Sequence, residues 1–185
     1  MRTSTQDQVT GATTEVRMEV DLPIEEVWAR VTEVGRVGRF SPECVHAAWL
    51  DGTDGAPVAG ARFEGRNEFP DGFVATVECV VTEAREPSVF EWVVLDGDRE
   101  VARPGSAWRY ELRPGSRPGT TELVHRFTHG AGMTGLRRLV VERPGEAEAV
   151  VRERLATLHA NMTTTLSGMM DRAPAGSTTP VGDAK

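Results

Sequence analysis

From Cys44 to His129 the chain repeats apolar and polar residues with a period of two, in segments cut apart by turn dipeptides. The segments are Val45–Leu50, Ala59–Phe69, Phe73–Ala84, Val89–Leu95, Ala107–Leu112 and Thr121–His129. Between them stand Asp51-Gly52, Asp54-Gly55, Asp71-Gly72, Asp96-Gly97 and Pro114-Gly115, residue pairs that make tight turns. Strands joined by short turns have room only to pair antiparallel with their neighbours. An earlier segment, Glu15–Val20, alternates in the same way.

Two other stretches follow a helical period. Pro23, with Glu25 and Glu26 behind it, is helix-start chemistry, and Ile24, Val27, Trp28 and Val31 supply an apolar side. A short broken helical piece runs on to Phe40, where Ser41-Pro42 stops it. From about Pro144 to Met170, Val151, Leu155, Leu158, Met162, Leu166 and Met169 recur at steps of three and four, one continuous stripe. Residues 130–141 are a joining piece with one or two helical turns. The order is strand, two short helices, six strands and a long helix, an α+β arrangement with that helix on one side of a curved sheet.

The chain has 185 residues, enough for one domain that buries roughly two-thirds of its unfolded surface without a metal or disulfide. The expected domain is 13–172, between disordered tails at 1–12 and 173–185 that are rich in small and polar residues. A formal charge of −7 with no basic stripe argues against nucleic acid and anionic membranes as partners. Cys44 and Cys79 have no metal-site spacing, and no apolar leader or membrane span is present. The expected location is the cytoplasm, with both thiols free. Gly-rich HGAGMTG (129–135) lacks the rest of a nucleotide-binding unit and is read as a connection or a lid; no phosphate loop, zinc motif or nucleophile elbow occurs.

Five stretches, LPIEEVWARVTEVGRVGRFSPEC (22–44), GARFEGRNE (60–68), VVTEAREPSVFEW (80–92), WRYEL (108–112) and TELVHRF (121–127), together resemble the START-like superfamily. Within it they are similar to the bacterial polyketide cyclase/dehydrase-like proteins. The resemblance implies a helix-grip fold: a seven-stranded curved antiparallel sheet wrapped around a C-terminal helix, with an apolar pocket between them. It implies no metal and no other cofactor.

Alternation then says which side chains face that pocket. The expected lining is Phe63, Asn67, Val77, Cys79, Phe90, Trp92, Trp108, Tyr110, His125 and Phe127, with Leu155, Leu158 and Met162 from the helix. Phe73, Ala75 and Val81 are placed on the same side. Asn67 is the odd member, a carboxamide between Gly65 and Phe69 on a core-facing side. Buried without a partner it costs about 1–3 kcal/mol, so either a ligand oxygen or water satisfies it, or neighbouring backbone does. Tyr110 is the only tyrosine and is placed to donate to a ligand oxygen. His125 is placed to move a proton near neutral pH, or else is a core histidine bonded to Tyr110 or a water. His129, at the strand end, is given no role, and His159 is read as a solvated edge residue.

Three functions compete. The first is binding of a small hydrophobic, aromatic or polyketide-like molecule, with Asn67, Tyr110 and His125 catalysing its cyclisation or dehydration without a cofactor. The second is a carrier or sensor of a lipid-like ligand. The third is a protein-interaction module akin to co-chaperones, disfavoured by the charged outer faces of the strands. The oligomeric state is left open.

Overall fold

The period-two segments pair into one seven-stranded antiparallel sheet, in the order β1-β7-β6-β5-β4-β3-β2. Its strands in a computed structural model, which describes residues 7–50 and 55–171, are β1 Thr13–Val20, β2 Cys44–Trp49, β3 Arg62–Glu68, β4 Val74–Arg85, β5 Val89–Val94, β6 Ser106–Pro114 and β7 Thr121–His129. Strands β2 to β7 form a continuous meander, and β1 closes onto β7, so the edges are β1 and β2. The expected strand from Ala59 is shorter at both ends, because Val58 and Gly60 are taken up in a turn with Gly60 at positive φ. The Asp51-Gly52 turn and Asp54 of the next lie outside the described residues, as do 1–6 and 173–185 of the two expected tails and residue 172 of the expected domain.

Helix α1, Ile24–Thr32, buries Val27, Trp28 and Val31 beneath the sheet and is followed by a 3-10 turn at Val34–Arg39. The joining piece contains α2, Gly135–Glu142, whose first turn is capped by Thr134 accepting the Arg137 N–H at 3.2 Å. A 3-10 turn at Pro144–Glu146 leads into α3, Ala147–Met170. Its buried stripe includes Val151, Leu158, Met162, Leu166 and Met169, and truncating a side chain as enclosed as Leu166 costs about 2–5 kcal/mol. Arg30 closes the far end of α3 by donating to the Met169 and Asp171 carbonyls at 3.1 and 3.0 Å, where a cation also suits the helix dipole. Gly168 is needed there, because a Cβ would collide with the Phe40 ring.

Main-chain register sets the two sides of the sheet. On β3, Phe63 and Gly65 are buried on the concave side while Arg62 and Arg66 are exposed on the other. The convex side has one small apolar cluster, Val80, Val93 and Leu95 with Ala107 against it; elsewhere charged residues predominate, with Val89 and Val124 buried among them. Helix α3 lies closest to β1, so the concave side of β3 to β6 is only partly covered: Val77, Trp92, Val94 and Trp108 all stay half-buried.

Residues 7–12, read from composition as tail, form a turn against the end of β7. Val9 is 1 % exposed, the Gly11 N–H donates to the His129 carbonyl, and Arg137 of α2 donates to Asp7 at 2.8 Å. Phe73, expected on the inner side of β4, instead sits 61 % exposed at the β3–β4 turn. Asp71 and Gly72 bend the chain there, with Gly72 at positive φ, and Phe73 stacks on Phe69.

Candidate functional site

Cross-strand pairing places aromatic residues side by side on the concave face. One row runs Phe90, Tyr110, His125 across β5, β6 and β7; the next runs Trp92, Trp108, Phe127. Trp92 and Trp108 lie parallel with centroids 6.1 Å apart, and Phe127 meets Trp108 edge-on at 4.7 Å. Phe63 extends this wall from β3 at 5.9 Å from Trp92. Such a surface favours flat, apolar guests, which stack on it or meet it edge-on.

Within the wall, His125 stacks on Tyr110 with centroids 4.1 Å apart and planes 20° apart. His125 is 5 % exposed, and neither ring nitrogen has a hydrogen-bond partner among the described residues. Burial pushes its pKa down from 6.5 to about 3, so the ring is neutral at physiological pH. Burial, with the Cys44 thiol adding to it, pushes Tyr110 up, so its hydroxyl stays a donor. The expectation of a proton carrier poised near neutral pH is therefore altered: the pair is two neutral hydrogen-bonding groups. Of the expected partners, Tyr110 makes no hydrogen bond with His125; the rings stack instead.

His129 repeats the pattern four residues further on. It is 6 % exposed, sits edge-on to Phe127 at 4.6 Å, and has two ring nitrogens without partners. Burial, then the positive charges of Arg154 and Arg137, lowers its pKa to about 4. Alternation along β7 was enough to put it on the inner face; only its place at the strand end argued against a role.

The opposite side of the cleft is differently built. Asn67 shares its face with Phe63 and Gly65, is half-buried, and pairs through its backbone with Cys44 and Ala75. Its carboxamide makes no hydrogen bond among the described residues, although β2 does carry a register shift beside it, between Cys44 and His46. Asn67 stands on β3, three strands from Tyr110, so it does not join the Tyr110–His125 pair. Nearby, Arg154 of α3 makes two hydrogen bonds to Glu43 at 2.7 and 2.6 Å, and Asn161 donates to the same carboxylate at 3.3 Å. The Arg154 guanidinium also lies 5.8 Å from the Phe69 ring. These contacts tie α3 to the β2 and β3–β4 side of the sheet.

Burial raises the Cys44 thiol to about 11 and Cys79 further, so neither is a thiolate near neutral pH. No group of three or more metal-ligating side chains exists among the described residues. A groove of about 500 Å³ opens between residues 7–8 and α3, with Val151 and Leu155 in its wall.

Residues 11–166 match the family model described as polyketide cyclase / dehydrase and lipid transport. The chain belongs to this family. Comparison with curated proteins gives no match. Among solved structures it is similar to the Polyketide_cyc-like protein Cgl2372 from Corynebacterium glutamicum, with 24 % identity and a TM-score of 0.59 over 87 % of this chain and 90 % of that one. It is also similar to the di-domain ARO/CYC protein StfQ from the steffimycin biosynthetic pathway, with 15 % identity and a TM-score of 0.65. That match covers 87 % of this chain and 50 % of StfQ. Protein NE0264 from Nitrosomonas europaea gives 16 % identity and a TM-score of 0.58 over 85 % and 91 %. At these identities the likeness establishes the fold, and the seven-stranded sheet around a long C-terminal helix agrees with it.

For this member of the polyketide cyclase/dehydrase family, the residues singled out in the sequence fall into two groups. Phe63, Cys79, Phe90, Tyr110, His125, Phe127, Leu158 and Met162 are almost fully buried, Phe90 meeting Trp28 of α1 edge-on. Asn67, Val77, Trp92, Trp108 and Leu155 keep part of their surface open. No helix among the described residues is long and apolar enough to cross a membrane.

Proposed function

We propose that the protein binds a flat, oxygenated aromatic or polyketide-type molecule on the concave face, against Trp92 and Trp108, with a ligand oxygen at Tyr110 and His125. The observation that carries this is the unpartnered, buried His125 stacked on Tyr110. An unsatisfied buried imidazole is costly, and a ligand carbonyl offers it an acceptor while an enol or hydroxyl offers an acceptor or a donor. Burying about 300 Å² of apolar ligand surface yields about 7.5 kcal/mol before association costs, enough for useful affinity.

The same geometry suits cyclisation or dehydration of a polyketide-type chain. Two neutral donors hold and polarise one carbonyl, and the aromatic wall folds the chain so that a carbanion of the same molecule meets it. The acidic methylene between two carbonyls loses its proton to water, and the new carbon–carbon bond turns the held carbonyl into an alkoxide that takes a proton back from water while Tyr110 and His125 donate hydrogen bonds to it; later loss of water gives the aromatic ring. A second reading, a carrier that does no chemistry, is favoured by one observation: His125 is 5 % exposed, and such burial makes its ring a weak base.

Tryptophan fluorescence reports occupancy directly. Titration with a hydroxylated anthraquinone should quench Trp92 and Trp108, and His125→Leu should weaken binding about tenfold, the worth of one hydrogen bond. The two readings part when a short poly-β-keto thioester is supplied and its products are followed by mass spectrometry. Faster cyclisation by the wild type than by His125→Leu marks an enzyme; identical product profiles with and without protein mark a carrier. Absence of any quenching removes both.

A further inference from the structure

His129 has no task in the carbonyl-holding geometry of Tyr110 and His125, yet it has the same signature. Its main chain is satisfied: the N–H donates to the Ala12 carbonyl at 2.8 Å and its own carbonyl accepts from Gly11 at 2.9 Å. Only the ring lacks partners, at 6 % exposure. Metal binding is a poor account of it, because no cluster of three ligating side chains forms among the described residues. The charged groups around it are Arg154 of α3, paired with Glu43, and Arg137 of α2, paired with Asp7. Both cations disfavour a proton on the ring, which leaves one N–H donor and one acceptor nitrogen.

His125 and His129 point to the same side of β7. At about 3.3 Å per residue they stand about 13 Å apart, further than a single aromatic ring can bridge. The side chains between them form a continuous apolar row: Trp108 contacts His125 at 5.4 Å and Phe127 at 4.7 Å, and Phe127 contacts His129 at 4.6 Å. We propose that His129 is a second polar anchor of this cleft, so that its ligand is an elongated, linearly fused aromatic with a hydroxyl or carbonyl oxygen at each end. This rests on the concave face being the ligand site.

The test compares anthraquinones hydroxylated on one terminal ring or on both, titrated into the full chain and read by tryptophan quenching. The wild type should bind the doubly hydroxylated compound about tenfold more tightly, the worth of one added hydrogen bond. His129→Leu should erase that preference while leaving affinity for the singly hydroxylated compound within about twofold, and His129→Gln should restore part of it. Should His129→Leu fail to fold, as judged by thermal unfolding, His129→Met carries the same test. A preference that is absent from the wild type, or that survives in the His129 variant, overturns the second anchor and leaves the cleft reading standing. Failure of the wild type to bind either compound overturns the cleft reading, and the anchor with it.

Discussion

The two faces of the sheet treat polar groups in opposite ways. On the convex side Arg109 donates to Glu83, Glu91 and Glu111 at 2.7–2.8 Å, Arg126 holds Glu15, and Glu78 accepts from both Arg62 and Arg99. Burial by itself pulls Arg109 down, and the bonds to Glu83, Glu111 and Glu91 more than reverse it, so the charge is firmly kept. On the concave side the imidazoles of His125 and His129 have no hydrogen-bond partner among the described residues. Neighbouring charges satisfy the first face; on the second, Thr121 donates to the Leu22 carbonyl at 2.7 Å, but no described residue satisfies the two imidazoles.

Acid should expose this difference most strongly. Both histidines have folded pKa values, about 3 and about 4, below the 6.5 expected of the unfolded chain. Between those limits the unfolded state binds more protons, so stability is complete above pH 6.5 and falls as pH drops. At 1.36 kcal/mol per pKa unit, each histidine removes about 2 kcal/mol by pH 5. The convex carboxylates, such as Glu15, Glu78 and Glu111, are held below their usual range by arginine hydrogen bonds and add their losses only at lower pH. Urea unfolding from pH 7 to pH 5 should therefore show a steep decline in the wild type and a flat line in a His125→Leu, His129→Leu double variant. Equal slopes would show that the concave histidines are not buried neutral groups.

The converse break is made on the convex side. Arg109→Met removes the shared partner of Glu83, Glu91 and Glu111 and leaves their charges facing one another. With Arg109 23 % exposed, solvent screens much of the effect, and the expected loss is about 1–2 kcal/mol in thermal or urea unfolding. The loss should shrink in high salt, and ligand quenching of the tryptophans should not change, since this face does not meet the cleft.

Residues whose side is marked by charge were the legible ones. Arg62, Glu64, Arg66 and Glu68 fix the register of β3, because a one-residue slip would bury all of them, and Phe63 and Asn67 follow on the other side. The stripe from Val151 to Met169 fixed α3 in the same way. Where both faces are apolar the signal fails. Val80 and Val93, apolar by type, form a small buried cluster on the convex side, where alternation but not composition puts them, and Phe73, also apolar, is carried out by its turn. Val9 was hidden by polar neighbours, since composition averages away a single buried side chain. In the site, facing could be read but environment could not. Whether an inward histidine is partnered depends on which side chains other strands bring to it, and that decided the change from proton carrier to neutral hydrogen-bonding group.

A smaller effect bears on the same comparison with the opposite sign. In the empty protein at pH 7, His125 contributes packing but forfeits the hydrogen bonds its nitrogens had with water. Leucine fills a similar space without those atoms, so His125→Leu should raise stability by about 1 kcal/mol while weakening ligand binding. A convex residue offers no such trade: its polar atoms are already paired, and their removal only loses. Thermal unfolding with and without a hydroxylated anthraquinone separates the cases. The wild type should gain the larger ligand-induced rise, and the variant should start higher and rise less. If the variant instead unfolds earlier than the wild type without ligand, His125 has a partner inside the protein, and the concave face is no less self-sufficient than the convex one.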